Sequence, residues 1–294
     1  MTVPDAEYAV RPARAGDRDA VLAFCQHTWE FGDYIDRVWD CWLADPETVL
    51  LVAADPADRP VGLGQVRLVS AAEAWLEGLR VDPGIRRRGL AWLIADSALR
   101  TAAERGARVV RFATLATNEP MHRLAPQIGF RRVGAFTFWR ADPLPAGEAA
   151  GWAVGADPPG EVAAFAADQA TIRAMGGLIS AGWAFAEPVE AVLARWIAQN
   201  PTGQIRRPAA GTPRAYAWIE PGEGDQPITI TWLATSLADL PEAGRALRRL
   251  ATERDRPGCH LRLPEGDEFE AAAGAAGFTR LPEPGFWLYA RGAG

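Results

Sequence analysis

The sequence contains no lysine, and this absence removes several kinds of chemistry. All 31 of its combined lysine and arginine residues are arginine, against 37 aspartate and glutamate residues, which gives a formal net charge of −6. A chain without lysine forms no lysine Schiff base and has no phosphate-binding loop of the Gly-Lys-Ser/Thr type. The acidic excess also argues against a nucleic-acid-binding protein, which needs a basic surface to neutralise phosphates.

Cysteine, histidine and long apolar runs are also scarce. The three cysteines form no Cys-x-x-Cys pair, and the three histidines offer no spacing typical of metal ligands. Cys25 and Cys41 fall in predicted helices, where we expect them in the core. No signal peptide is recognisable, and the longest uncharged stretch that is mainly apolar, residues 174–186, is too short to cross a bilayer. We therefore expect a cytoplasmic protein that binds no metal ion and no membrane.

The chain repeats itself with a period of about 150 residues. Residues 29–44 align with residues 183–198 without a gap, with tryptophans matched at both ends, and a Gly-Phe pair recurs near the end of each half. A stretch rich in proline, glycine and alanine separates the halves. The repeat predicts two similar domains, residues 1–145 and 150–294.

Apolar periodicity in the first half predicts alternating strands and helices. One predicted helix spans residues 90–105, and another has an apolar face formed by Ile35, Val38, Trp39 and Trp42. Strands are predicted at residues 8–11, 49–53, 61–69, 74–81, 109–115 and 131–140. This order predicts an α/β fold around a mixed sheet.

The most informative segment connects the strand that ends at Val81 to the helix that follows it. It consists of three arginines, a glycine and two apolar residues, which are Arg86, Arg87, Arg88, Gly89, Leu90 and Ala91. Free N–H groups and the helix dipole favour an anion at such a helix start, arginines add charge-assisted hydrogen bonds, and glycine lets a ligand approach the backbone. The pattern indicates a phosphate site, and a solvated basic helix start is the alternative.

Residues 86–91 resemble the pyrophosphate loop of the GNAT acetyltransferase superfamily, whose pattern is Gln/Arg-x-x-Gly-x-Gly/Ala. The surrounding order of strand, loop, helix, strand and short helix resembles the family's fold over the first half. The resemblance implies a tandem GNAT acyl-CoA N-acyltransferase fold with acetyl-CoA as co-substrate. It also implies that Leu79, Arg80 and Val81 lie along the pantetheine arm, and that Asn118 contacts it, unless Asn118 only caps the next helix.

Glu77 lies on the cofactor strand at the position where many members of the family place the general base. Acetyl transfer to an amine needs such a base because only the neutral amine is a nucleophile. The strand is largely apolar, so desolvation is expected to raise the pKa of Glu77. A buried glutamate held in a structural hydrogen bond is the alternative.

One position departs from the family's pattern. Many members carry a tyrosine in the short helix as the acid that protonates the leaving thiolate, and here that position is Ala125. His122, one turn earlier, and Tyr34 are the candidate replacements. Protonation by solvent is the third alternative.

The acceptor side is predicted from the segment that precedes the second helix and from the closing strands. Its candidate residues are Trp29, Glu30, Asp33, Tyr34 and Phe138. A solvated helix face is the simpler interpretation of Asp33, together with Asp36 and Asp40. The run from Trp29 is also similar to the branch of the superfamily that includes histidine N-acetyltransferase, which implies a small amino-acid-like amine.

The second half lacks the Arg-x-x-Gly-x-Gly/Ala pattern between its strand at 228–233 and its helix at 241–254. We therefore expect a degenerate, non-catalytic copy. The resemblance implies an N-acetyltransferase for a small-molecule primary amine that works as a monomer or homodimer. A non-catalytic acyl-CoA sensor or scaffold and a peptide N-terminal acetyltransferase are the alternatives.

Overall fold

A computed structural model describes residues 7–26, 28, 32–145, 152–154, 157–199, 204–208, 215–220, 222 and 224–292, with only the backbone at 152–154 and 204–208. Its contacts divide the chain into two compact units. The first unit comprises Met1–Ala113, Glu119–Arg131 and Tyr289–Gly294, and the second comprises Thr114–Asn118 and Arg132–Leu288. The two units therefore exchange short segments, and the predicted bounds of 1–145 and 150–294 stay a prediction.

The first unit alternates strands and helices in the predicted order. Its elements are β1 (Ala9–Pro12), α1 (Arg18–Cys25), α2 (Ile35–Ala44), β2 (Thr48–Ala54), β3 (Pro60–Leu68), β4 (Glu73–Val81), α3 (Leu90–Glu104), β5 (Val109–Leu115) and α4 (Glu119–Gln127). Each strand and helix predicted here lies within two residues of these bounds, because the apolar period is regular and glycine or proline interrupts it at the turns.

The sheet of the first unit has the order β1-β2-β3-β4-β5. Neighbouring strands are antiparallel, except for β4 and β5, which are parallel. Alternate residues of β2 face opposite sides, so that Val52 packs with α1 and α2 while Ala53 packs with α3. Both faces of the sheet are therefore covered by helices.

The two cysteines of the first unit's helices differ in exposure. Cys25 is buried in the core beside α2, as expected. Cys41 is exposed, so its predicted core position is wrong. The reason is helical geometry, because Cys41 is two residues beyond the buried Trp39 and therefore lies on the opposite side of α2.

The second unit has the same kind of architecture with more elements. They are β6 (Arg131–Ala141), β7 (Trp152–Val154), α5 (Pro159–Ala167), α6 (Ala170–Ala174), β8 (Ile179–Ala181), β9 (Ala184–Ala186), α7 (Glu190–Gln199), β10 (Gln204–Pro208), β11 (Tyr216–Glu220), β12 (Ile228–Ala234), α8 (Leu240–Glu253), β13 (Cys259–Pro264), α9 (Asp267–Ala275), β14 (Thr279–Arg280) and β15 (Phe286–Gly292). The last four residues of β15 belong to the first unit.

The sheet of the second unit has the order β7-β10-β11-β12-β13-β6, and β14 also pairs with β6. Its only parallel pair among the described residues is β12–β13, which occupies the position that β4–β5 has in the first unit. The strands β8 and β9 form a separate hairpin. Both units thus have the predicted mixed α/β architecture, and the fold-class prediction is confirmed.

Candidate functional site

The strand β4 is interrupted by a bulge beside the predicted cofactor position. Gln65 of β3 lies opposite Glu77, but Leu63 lies opposite Arg80, so β4 carries one more residue than β3 between these pairs. Gly78 lies within the bulge and has a φ of 70°, a conformation that favours glycine. Such bulges redirect side chains and are frequent next to active sites.

The same strand separates from β5 before the bulge. Their parallel pairing covers three residue pairs and ends where Trp75 lies opposite Arg111. Beyond this point, the β4 backbone at Leu79 and Val81 has no registered partner on the β5 side. The main chain of Val81 is therefore available to an extended ligand. The carbonyl of Leu79 accepts a hydrogen bond from the Nη1 of Arg80 at 3.1 Å.

The arginine-rich loop runs directly into the N-terminus of α3. Gly89 has a φ of 76° and precedes the first helical residue, and Arg87 also has a positive φ of 68°. No side chain caps the helix start. The three arginines are exposed, and the Nη1 of Arg88 donates a weak hydrogen bond to the hydroxyl of Tyr8 at 3.4 Å. Uncapped amides, the helix dipole and nearby guanidinium groups together favour an anion.

Glu77 projects from β4 towards the start of α2. Burial raises the pKa of Glu77 above its ordinary value. This shift is opposed only in part by a hydrogen bond with Tyr34, by the Trp75 indole and by the charges of Arg67 and Arg80. Burial also raises the pKa of Tyr34, so its hydroxyl stays protonated and donates to the carboxylate. A carboxylate with a raised pKa is suited to accept a proton near neutral pH.

Gln65 is a residue of the site that the sequence analysis did not identify. It lies directly opposite Glu77, at a Cβ separation of about 5 Å for such cross-strand pairs. Its side chain is 2% exposed, and its Oε1 has no hydrogen-bond partner among the described residues. A buried acceptor without a donor is costly unless a ligand or water supplies the donor.

Asp33 and Arg80 form a buried ion pair next to Tyr34. The Nε and Nη2 of Arg80 donate to the two carboxylate oxygens of Asp33 at 2.7 and 3.3 Å, and the side chains are 15% and 4% exposed. Burial alone raises the pKa of Asp33, but hydrogen bonds from Arg80 and Thr28 outweigh it and hold the pKa below its usual value. The guanidinium also lies over the Tyr34 ring at 5.4 Å.

This ion pair changes the interpretation of three predicted residues. Asp36 and Asp40 are exposed, as a solvated helix face predicts, but Asp33 is not. The side chain of Arg80 contacts Asp33 and Tyr34, so only its main chain remains for the predicted cofactor contact. The thiol of Cys25 lies near this ion pair, and burial raises its pKa to about 12, which argues against a thiolate nucleophile.

His122 packs against a tyrosine from the far end of the chain. Its Nδ1 lies 3.0 Å from the hydroxyl of Tyr289, and the two rings stack at 6.1 Å. Tyr289 also stacks on Phe112 of β5 at 4.9 Å. Ala125 is fully buried, so no acid replaces the missing tyrosine at that position. On α4, His122, in contact with Tyr289 of β15, is the candidate for that acid.

The remaining predicted site residues are not brought together with Glu77 by any described contact. The Nδ2 of Asn118 donates to the Oγ1 of Thr114 at 2.7 Å. Phe138 belongs to the second unit, where it packs against Trp183 and Phe286. Trp29 and Glu30 lie outside the described residues. The roles predicted for these four residues stay predictions.

In the second unit, side chains of the unit itself occupy the corresponding strand edge. The hydroxyl of Thr171 donates to the carbonyl of Leu233 at 2.6 Å, and the hydroxyl of Ser180 donates to the carbonyl of Thr231 at 3.0 Å. Both carbonyls belong to β12 beyond its last registered pair with β13. Side chains of other elements thus fill this edge of β12. On β4, the Leu79 carbonyl is hydrogen-bonded by the neighbouring Arg80, and Val81 has no registered β5 partner.

Two other kinds of site are absent from the described part of the chain. No three histidine, cysteine, aspartate or glutamate residues there are grouped in a way that suits a metal ion. Nor does any described helix combine the length and apolar character needed to cross a membrane.

Comparison with known proteins agrees with the geometry of the first unit. Residues 18–130 match the family model described as Acetyltransferase (GNAT) family. No curated protein matches the sequence.

Solved structures extend the likeness of the fold to nearly the whole chain. A GCN5-related N-acetyltransferase from Sphaerobacter thermophilus is 16% identical with a TM-score of 0.60, over 99% of this chain and 97% of that one. A tandem GNAT protein from the clavulanic acid biosynthesis pathway is also 16% identical, with a TM-score of 0.55 over 98% of this chain and 99% of that one. The chain thus has a tandem GNAT fold, and its residues 18–130 are the part that matches the GNAT acetyltransferase family model.

Proposed function

We propose that the first unit transfers an acetyl group from acetyl-CoA to a primary amine of a small molecule, with Glu77 as the general base. The observation that carries this proposal is the position of Glu77. It is a half-buried carboxylate whose pKa is raised by desolvation, two residues beyond the point where β4 leaves β5. The family match supports acyl transfer in general, and the side chains around Glu77 support this particular form of it.

The open strand edge and the arginine loop fit acetyl-CoA. The main chain of Val81 has no registered β5 partner and is available to the amides of a pantetheine arm, whereas the carbonyl of Leu79 already accepts a hydrogen bond from the Nη1 of Arg80 at 3.1 Å. The uncapped start of α3 and residues 86–88 suit a pyrophosphate, since they combine amide donors with permanent positive charge. Acetyl-CoA supplies the activated acetyl thioester.

The amine is proposed to lie between Glu77 and Gln65. An ammonium group offers three donors, and these two residues offer a half-buried and a buried acceptor on facing strands. Glu77 takes the proton that makes the nitrogen nucleophilic, directly or through one water. Tyr34 donates to Glu77 and holds its carboxylate in place, while the Asp33–Arg80 pair anchors the start of α2.

His122 is the proposed acid for the leaving thiolate. Its contact with the Tyr289 hydroxyl fixes the orientation of the imidazole, which an isolated surface histidine lacks. Direct protonation by solvent remains the alternative to this role. Replacing His122 by glutamine distinguishes them, because turnover falls only if the imidazole donates the proton.

The proposal is tested by calorimetry with acetyl-CoA, followed by a free-thiol assay with a panel of amines. The panel contains histidine, polyamines, aminoglycosides and a peptide with a free N-terminus. We expect one acetyl-CoA per chain and thiol release with at least one small amine. Because the chain has no lysine, acetyl groups found on an added amine are not confused with acetylated lysine side chains of the enzyme.

Each other outcome points to a different function. An absence of acetyl-CoA binding by the folded protein contradicts the proposal entirely. Binding without thiol release for any amine indicates a sensor or scaffold, which the missing tyrosine at Ala125 favours. Release with the peptide alone indicates an N-terminal acetyltransferase.

A further inference from the structure

The second unit contains a buried arginine that the proposed transfer chemistry does not use. Arg262 of β13 is 7% exposed, and its Nη1 donates to the carbonyl of Gly182 at 2.6 Å and to the Oγ of Ser180 at 3.3 Å. Among the described residues, it forms no ion pair, and its Nε has no hydrogen-bond partner. A buried guanidinium is ordinarily paired with a carboxylate, because an unpaired buried charge is costly.

Aromatic rings cover the faces of this guanidinium. Its central carbon lies 4.7 Å from the ring centroid of Trp183 and 5.7 Å from that of Phe136. Trp183 in turn packs against Phe286 and Phe138, with centroids 5.1 and 6.1 Å apart. We call Phe136, Phe138, Trp183 and Phe286 the aromatic cluster. Because its faces are covered, the guanidinium is left with its Nε–Nη2 edge for a further partner.

The aromatic cluster reaches from the core to the solvent. Phe136 is fully buried, whereas Trp183, in the turn between β8 and β9, is 44% exposed. Arg262 lies opposite Phe138 in the β6–β13 pair, so both side chains emerge on the same face of the sheet. An exposed ring thus leads directly to a buried positive charge.

The nearest acidic residue does not neutralise this charge. Glu220 accepts a hydrogen bond from the backbone N–H of Gly182 at 3.2 Å and so holds the turn in place. Burial lowers the pKa of Arg262 to about 10, and the charge of Glu220 only partly restores it. The guanidinium is therefore still positively charged at neutral pH.

We propose that Arg262 and the aromatic cluster form a binding site for a small aromatic carboxylate. The carboxylate pairs with the Nε–Nη2 edge, where two parallel N–H···O bonds fit a planar oxyanion. The ring of the ligand packs on Trp183 and Phe138, since an aromatic face is the main apolar surface at the solvent side. A single guanidinium matches a single negative charge, which favours a carboxylate over a phosphate.

The side chain of Trp183 controls access to the arginine. The Nε of Arg262 is shielded from solvent, and the half-exposed indole of Trp183 lies over the guanidinium, so a ligand oxygen is proposed to reach the Nε when this indole moves. Binding is therefore expected to change the fluorescence of Trp183. All residues of this site belong to the second unit and none lies between positions 77 and 91, so the site does not depend on the proposed acetyl transfer.

The test is a calorimetric titration of the full-length protein with benzoate, with benzamide as the uncharged analogue and inorganic phosphate as the anion without a ring. We expect saturable binding of one benzoate per chain and none of benzamide or phosphate. Trp183→Ala should weaken benzoate binding about tenfold, and Arg262→Gln should abolish it. Ile197→Ala, which removes another exposed apolar side chain of the second unit, should leave the affinity unchanged.

Three results would overturn the proposal. They are an absence of saturable benzoate binding up to about 10 mM, equal affinity for benzamide, and unchanged affinity in Trp183→Ala. Binding of phosphate as tight as that of benzoate would show an anion site without recognition of the ring and would also contradict it. If circular dichroism shows that Arg262→Gln does not fold, Trp183→Ala decides the question, because its side chain is half exposed and its loss is compatible with folding.

Discussion

Glu77 and Trp232 occupy the same position in the two units, two residues beyond the last residue of the strand that pairs with its parallel neighbour. Glu77 lies opposite Gln65, whereas Trp232 lies opposite Trp218. Both tryptophans are fully buried. The same position on the same architecture thus carries a carboxylate and an amide in one unit and two aromatic side chains in the other. The indole N–H groups of these tryptophans, like the Oε1 of Gln65, have no hydrogen-bond partner among the described residues. The difference shows that the fold does not require a carboxylate at this position, so the half-buried Glu77 with its raised pKa calls for a functional explanation.

The helices that follow these strands differ in charge as well. In the first unit, three arginines and Gly89 precede α3. In the second unit, Asp239 precedes α8, and its carboxylate accepts a hydrogen bond from Ser236 at 2.7 Å. An acidic residue at a helix start stabilises the helix and repels another anion. The second unit therefore lacks both the open strand edge and the positive charge that a pyrophosphate needs.

The largest effect is expected from removing the charge that distinguishes the first unit. Glu77→Gln should lower kcat/KM by about 10²- to 10⁴-fold, since a general base contributes that much, and should leave acetyl-CoA affinity unchanged. Glu104→Gln, at the exposed end of α3, is the control. Full turnover of Glu77→Gln at neutral pH would show that Glu77 is not the base.

The same variant also tests the pKa of Glu77 through protein stability. Because burial raises this pKa, the folded protein retains the proton at pH values where the unfolded chain has lost it. The free energy of unfolding therefore falls as the pH rises through this window. Glu77→Gln should be at least as stable as the wild type at pH 7, as measured by thermal unfolding. Lower stability would indicate that Glu77 has a structural role.

A second comparison concerns the residue before α2 and its counterpart before α7. Asp33 is buried and paired with Arg80, whereas the aligned Glu187 is exposed. Asp33→Ala should lower the free energy of unfolding by about 3–5 kcal/mol, because it leaves Arg80 buried without its partner. Glu187→Ala and Asp36→Ala should each change it by less than about 1 kcal/mol. Urea unfolding measures all three, and equal effects would contradict the assignment of Asp33 to a buried ion pair.

Local pattern was sufficient to predict the strand, loop and helix of residues 74–105 and the position of Glu77 on the strand. These features depend on neighbouring residues, so periodicity and turn residues reveal them. The partners of Glu77 were not predictable in the same way. Gln65 is recognised only from the strand register, and Arg80 and Asp33 are 47 residues apart in sequence.

Two other features of the structure arise from residues that are still further apart in the sequence. Tyr289 reaches His122 across 167 residues, because the end of β15 belongs to the first unit. The buried Arg262 lies on β13, and only its neighbours in space show that it has no carboxylate partner among the described residues. Predicted domain bounds that follow the repeat cannot include such exchanged segments, since a repeat is detected in sequence order.

A smaller effect is expected from reopening the strand edge of the second unit. Thr171→Val removes a buried hydroxyl that donates to the carbonyl of Leu233 and should destabilise the protein by about 1–3 kcal/mol. Acetyl-CoA should still bind with one molecule per chain, because the substitution leaves Asp239 in place and adds no arginine at the start of α8. Thr279→Val, at an exposed position, is the control. A second acetyl-CoA site in Thr171→Val would show that the hydroxyl alone closes the second unit.

The smallest expected effect concerns Tyr34, which the repeat replaces by Pro188 in the second unit. The Tyr34 hydroxyl stabilises the Glu77 carboxylate and so opposes the rise in the pKa of Glu77. Tyr34→Phe should therefore raise this pKa further. Because the base must be deprotonated to act, the acidic limb of the kcat/KM profile should move to higher pH, while the plateau at high pH changes by no more than about threefold.

The control for this shift is the same substitution in the Glu77→Gln background. No carboxylate is present there, so the residual activity should have no acidic limb for Tyr34→Phe to move. If the limb moves equally in both backgrounds, the titrating group is not Glu77. If it does not move in either, the hydrogen bond from Tyr34 does not tune the base, and Tyr34 acts only through its packing against Trp42, whose ring centroid lies 6.0 Å away.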